Sequence, residues 1–137
     1  MHVCLECYDS FDKRFLSPVD YEEYVCPKNS CQGDIVELDE LIAPTIILLN
    51  QKGYITKFCC SGHWYDSHIA PYIYFYEDCE PESIPNSFTW DKWDTDKEKP
   101  TIRASYDENT GESRYDFVTR VNKELYEWAI SLPYSER

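Results

Sequence analysis

The sequence contains no long hydrophobic run. Its longest aliphatic stretch is Ile46-Ile47-Leu48-Leu49, far short of the roughly 20 apolar residues a membrane-spanning helix needs. Met1–Cys7 has neither a charged leader nor an apolar core, so no secretory signal is expected and the reading is a soluble, cytoplasmic protein without a membrane partner. Basic charge is scarce as well, with 13 Lys+Arg against 26 Asp+Glu and a formal net charge of −13. A chain of that sign repels a phosphate backbone at long range, which disfavours duplex nucleic acid as a partner. Internal repeats, a P-loop, a dinucleotide fingerprint and a zinc-protease helix are all missing, and the enzyme classes built on those motifs go with them.

What the chain does have is apolar and aromatic mass. Hydrophobic residues make up 42% and aromatic residues 16% of 137 positions, enough to build a core and to exclude wholesale disorder. The length is that of one domain, or of one domain with a small appendage.

Seven cysteines in a reducing compartment call for an explanation other than disulfides. Four of them supply it: Cys4-x2-Cys7 is followed by Cys26-x4-Cys31, two thiol pairs on tight turns joined by a loop long enough to bring them together. This is the spacing of a zinc ribbon, in which four thiolates close around a structural Zn2+. Gly33 follows the second pair and is free to take a left-handed turn, whereas no glycine follows Cys7. The stretch from Asp9 to Pro18, with Phe11 and Phe15, reads as a loop or hairpin. Cys59 and Cys60 are neighbours on an expected strand and point to opposite faces.

Large apolar residues at 38, 41, 42 and 46–49 predict a buried helix, either beginning near Ala43 or kinked at Pro44, with Asp34 or Asp39 at its start and Gly53 at its end. Tyr54–Cys59 alternates as a strand, and Ile69–Tyr76 forms another. Residues 77–100 read as a long acidic, aromatic loop with one short strand near Ser87–Trp90; Trp90 and Trp93 either pin it to the core or present a partner surface. Thr101–Tyr106 is a strand, Asp107–Gly111 a turn, and the periodicity of Phe117, Val118, Val121, Leu125, Trp128, Ala129 and Leu132 predicts a helix over 113–132. The fold expected is α+β or α/β: a zinc ribbon over 1–36, then a small mixed-sheet domain with two main helices over 37–137.

The run Asp39, Ile42, Pro44, Leu49-Asn50, Gly53-Tyr54, Thr56, Cys60-Ser61-Gly62-His63, Tyr72-Ile73 and Phe75 resembles the core of the third-enzyme methyltransferase family of the wybutosine tRNA pathway. His63 stands where that family has Arg, and that family has no ribbon in front. The resemblance implies a related local fold with a site at the Cys-Ser-Gly turn, and S-adenosylmethionine as a cofactor. The chain also looks like small bacterial and phage proteins that join a Cys-rich ribbon to a Cys-Cys-Ser-Gly-His module.

A strand ending in Ser61-Gly62 exposes backbone N–H groups where the chain turns, which suits a small anionic or nucleotide-like ligand. Thr56, Cys60, Ser61, Gly62, His63 and Tyr72 are the candidate ligand-binding residues, with Trp64 and Tyr65 available for stacking. The bland alternative is a tight turn with a structural histidine. Two sharper chemistries use the same residues: a Cys60/His63 nucleophile pair oriented by Asp66, or a second metal site from Cys60, His63, His68 and Cys79. Arg103, Arg114 and Arg120 are the cations best placed to meet a ligand, although Arg120 and Glu124 also have the spacing of a surface ion pair. No residue is singled out as catalytic. The competing functional class is a non-enzymatic interaction or inhibitor protein that docks a protein partner through the ribbon and the aromatic loop.

Overall fold

A computed structural model of the chain describes residues 1–12, 14, 16, 18–20, 23–28, 30–31, 33–91 and 100–136. Among the described residues, nine strands form two sheets. The N-terminal sheet comprises β1 (His2–Cys4), β2 (Ser10–Phe11), β3 (Pro18–Asp20), β4 (Glu23–Val25) and β5 (Asp34–Glu37), in the spatial order β2-β1-β5-β4-β3. The second sheet comprises β6 (Thr56–Cys60), β7 (Tyr72–Phe75), β8 (Thr89–Trp90) and β9 (Thr101–Arg103), in the order β6-β7-β9-β8. Every pairing between these strands is antiparallel. The expected mixed sheet is corrected accordingly, and the architecture is α+β. A parallel pair needs a crossover between adjacent strands, whereas β6 and β7 are neighbours joined directly by the loop that holds the Cys-Ser-Gly-His turn.

Helix α1 (Ala43–Gln51) starts at Ala43 and places Pro44 in its first turn, where an absent N–H leaves no bond unmade. Neither Asp34 nor Asp39 caps it with a side chain. The Asp39 carbonyl accepts from the backbone N–H groups of Ile42 and Ala43 instead, which leaves the Asp39 carboxylate for other work. Helix α2 (Arg114–Ser131) is capped by the Ser113 hydroxyl, which accepts from the Asp116 N–H. It buries Phe117, Val118, Val121, Leu125, Trp128 and Ala129, the stripe its periodicity predicts.

Both helices pack against one core with Ile73 and Phe75 of β7 and Ile102 of β9. Val3 of β1 belongs to the same buried cluster, so the N-terminal sheet seals onto the helices. Main-chain bonds reinforce the seam: the terminal ammonium of Met1 donates to the Leu38 carbonyl, and the Leu38 N–H donates to the Met1 carbonyl. Phe15, Trp93 and most of the segment after Asp91 lie outside the described residues. No helix is long and apolar enough to cross a membrane among the described residues.

Candidate functional site

Two clusters of metal-ligating side chains are present among the described residues. The first is the quartet. Cys4 stands at the end of β1 and Cys26 just past β4, while Cys7 and Cys31 lie on the adjoining turns, so pairing of β1 and β4 with β5 brings both thiol pairs to one end of the sheet. The four sulfurs lie within 4.8 Å of one another. Cys4 Sγ is 3.6 Å from Cys31 Sγ, and Cys7 Sγ is 3.7 Å from Cys26 Sγ. Disulfide sulfurs are about 2.05 Å apart, so these are not bridges. Four thiolates at about 2.3 Å from a tetrahedral ion have edges of about 3.8 Å, and the quartet matches that geometry.

Protonation of the quartet is internally opposed. Burial lifts the Cys26 thiol to about 12. At Cys4 burial acts in the same direction, but the N–H groups of Cys7 and Glu6 and the neighbouring thiols outweigh it and bring the group below its usual range. Four sulfurs this close cannot all ionise without a cation between them, and a divalent ion removes the conflict.

The turn after each thiol pair carries its own backbone constraint. Tyr8, following Cys7, takes φ 63°, the left-handed conformation that a glycine would adopt without strain. Gly33 is crowded by the first thiol turn. A side chain at Gly33 would come within 2.7 Å of Glu6 Cγ and 2.8 Å of Cys4 Sγ, so this glycine permits close approach.

The second cluster is at the far end of β6. Asp39, Cys60 and His63 each bring a ligating atom within 4.8 Å of the other two. His63 Nε2 is 3.9 Å from Asp39 Oδ2, and the buried Ser61 hydroxyl donates to the same Asp39 oxygen at 3.0 Å. The Gly62 N–H approaches Cys60 Sγ at 3.4 Å. Behind the turn, Asn122 of α2 donates to the Ser61 carbonyl at 2.8 Å. Gly62 takes φ 82° with Pro71 so close that a Cβ would meet Pro71 Cγ at 2.7 Å. The backbone is therefore held from two sides, while Asp39 and His63 stay partly open to solvent. The Tyr65 ring stacks on His63 at 5.3 Å.

The candidate residues do not all assemble here. Cys60, Tyr72 and Arg103 are directly opposite one another across β6, β7 and β9 and share a face of the sheet, with the Arg103 guanidinium 4.8 Å from the centre of the Tyr72 ring. Arg103 also pairs with Asp91. Thr56 is placed elsewhere: it sits at the opposite end of β6, opposite Phe75, and accepts a bond from the Asn50 amide. Cys79 follows β7 at that same remote end, and His68 is exposed; neither is in the cluster, which takes Asp39 in their place. Asp66 is likewise outside it, and Arg114 pairs with Glu108. Arg120 holds Glu112 through two nitrogens and also approaches Glu124 at 3.6 Å.

Asp39 is the residue that sequence reasoning assigned to the helix and missed as a site residue. No spacing rule singles it out, because its carboxylate meets Cys60 and His63 only through the fold.

Cys59 points the other way and packs against the core. Burial, with the negative charges of Asp39 and Cys60, pushes its thiol up to about 12. The expected result is that Cys59 stays unmodified by iodoacetamide up to about pH 9, since only the thiolate reacts. Peptide mapping of the folded protein after alkylation checks this, and rapid labelling of Cys59 would contradict its placement.

Comparison with known protein families, curated proteins and solved structures finds no match to the chain.

Proposed function

We propose that the chain is a zinc-dependent small protein whose functional centre is the Cys60–His63 turn. The four thiolates hold a structural zinc that maintains the N-terminal sheet, and the turn takes a small anionic or nucleotide-like ligand. One observation carries the ligand reading: Cys60, Tyr72 and Arg103 stand side by side on one sheet face, next to His63, with a guanidinium over an aromatic ring. A planar base finds the Tyr72 ring there, and an anionic group finds Arg103 and His63. S-adenosylmethionine is one ligand of this class, and a divergent methyl transfer is the enzymatic form of the same proposal.

Ser61 acts in this reading as a positioning residue. Its side chain is buried and spent on Asp39, so Ser61→Ala removes a hydrogen bond to a carboxylate, worth about 1.5–3 kcal/mol, and is not a silent variant. His63 and Arg103 are the cleaner probes. Titration of the zinc-loaded protein with adenosine monophosphate, inorganic phosphate and S-adenosylmethionine is expected to give saturable binding for at least one. His63→Ala and Arg103→Gln should each weaken that binding about 10- to 100-fold, the loss of one charged hydrogen bond. Absence of binding by all three at millimolar concentration, or binding unaffected by either substitution, would overturn the reading.

A second reading has its own observation. Phe58 and Tyr76 are 59% and 48% exposed, and Lys57 Nζ lies 5.8 Å from the Phe58 ring and 5.7 Å from the Tyr76 ring. They border a cleft of about 600 Å³ between the edge of β6 and residues Asp34 and Val36 of β5. An exposed aromatic pair beside an apolar cleft suits a protein partner. Phe58→Ala would then abolish partner binding while leaving the ligand titration unchanged.

A further inference from the structure

The geometry points to a second metal site formed by Asp39, Cys60 and His63, with an open coordination position. The three residues come from two segments: Asp39 from the loop before α1, and Cys60 and His63 from the end of β6 and the turn that follows it. They supply a carboxylate oxygen, a thiol sulfur and an imidazole nitrogen within 4.8 Å of one another. Tetrahedral bonds of about 2.3 Å to sulfur and about 2.1 Å to nitrogen or oxygen set ligand separations of about 3.4–3.6 Å. The atoms are thus about an ångström from closing on an ion. Asp39 and His63 are the side chains that make that movement, since both are partly solvent-exposed while the backbone between Cys60 and His63 is pinned by Asn122 and by Pro71.

A Cys60/His63 nucleophile pair is the competing use of the same residues, and Asp39 would have to close by nearly an ångström to orient its imidazole. Asp39 is 3.9 Å from His63, beyond hydrogen-bond length, and the Asp39 oxygen that faces His63 already accepts from Ser61. That bond holds the carboxylate in one orientation, as hydrogen bonds to metal-ligating carboxylates do. With a divalent cation bound, the thiolate and the carboxylate neutralise its charge, and the remaining position accepts water or an anionic group. The mixed sulfur, nitrogen and oxygen set suits Zn2+ or Co2+ and not the hard cations Mg2+ and Ca2+.

The inference goes beyond the ligand reading and does not depend on it, because the metal is titrated with no organic ligand present. The protein carrying its quartet metal is titrated with Co2+, followed by calorimetry and by thiolate-to-cobalt absorption, and the final content is counted by native mass spectrometry. The expected result is one further equivalent per chain. Cys60→Ser should lose the added charge-transfer absorption, and Asp39→Asn and His63→Ala should each lose the added equivalent, with the quartet metal and the melting temperature of His63→Ala retained. A wild-type chain that takes up no further equivalent overturns the proposal. So does a further equivalent that persists in all three variants, which would place the ion elsewhere.

Discussion

Replacing Cys26 with serine is expected to lower the metal content by one equivalent and to unfold the N-terminal sheet. Cys26 is buried, and its sulfur is 3.7 Å from that of Cys7, so an oxygen in its place leaves the ion with three thiolates and a weak fourth donor. The strands it anchors are two to four residues long, too short to persist without a staple. Zinc-finger peptides gain about 10–16 kcal/mol from the metal, so the loss is large even if only part of it reaches the folded state. Val3 belongs to the common core, and its departure should lower the melting temperature of the rest of the chain as well. Metal analysis and circular dichroism of Cys26→Ser, beside wild type treated with chelator, make the measurement. Acid should reproduce the effect, because the ligands are thiolates and protonation competes with the ion; the stabilisation is present at neutral pH and is lost as pH falls. A variant that retains full metal content and a native spectrum would refute the assignment.

The second large effect is expected from Lys52→Met. Lys52 is only 8% exposed, and its ammonium donates to the carbonyls of Ala129, Ile130 and Leu132 at 2.8, 2.8 and 2.6 Å. Carbonyls at the end of a helix have no intrahelical partner and carry the negative end of its dipole. One buried cation thus terminates α2 and joins it to the end of α1. The thioether fills much of the same volume but donates nothing, so three acceptors lose their partner together. Hydrogen bonds to charged groups contribute about 1.5–3 kcal/mol each. With some relaxation and water entry, a net loss of about 3–5 kcal/mol is expected, of the size seen when one member of a buried charged cluster is removed. Urea denaturation of the two proteins reads this directly. A change below about 1 kcal/mol would mean that water replaces the ammonium at those carbonyls.

Features set by short-range pattern were legible in the chain itself. The apolar repeat from Phe117 to Leu132 predicted a helix over 113–132, and α2 spans Arg114–Ser131 with Ser113 as its cap. Helix α1 follows one of the two starts that Pro44 allowed. The thiol quartet was readable because two turns, each presenting two sulfurs, fix the geometry before the loop between them is considered. The same local logic did not show the approach of Glu6 and Cys4 to Gly33 from a neighbouring segment, nor the bond from the Asn50 amide to the Thr56 hydroxyl.

Periodicity and spacing are properties of a few consecutive residues, so sequence by itself determined the two helices, most of the strands and the convergence of Cys4, Cys7, Cys26 and Cys31. Sheet order, the antiparallel pairing throughout, the placement of Asp39 against Cys60 and His63, and the reach of Lys52 to carbonyls 77 to 80 residues away depend on how α1 and α2 pack on β6 and β7. Those contacts are selected by burial of a shared core, which rewards any apolar surface alike and leaves no residue-by-residue signature along the chain. Only the packed tertiary structure decides which carboxylate faces which thiol.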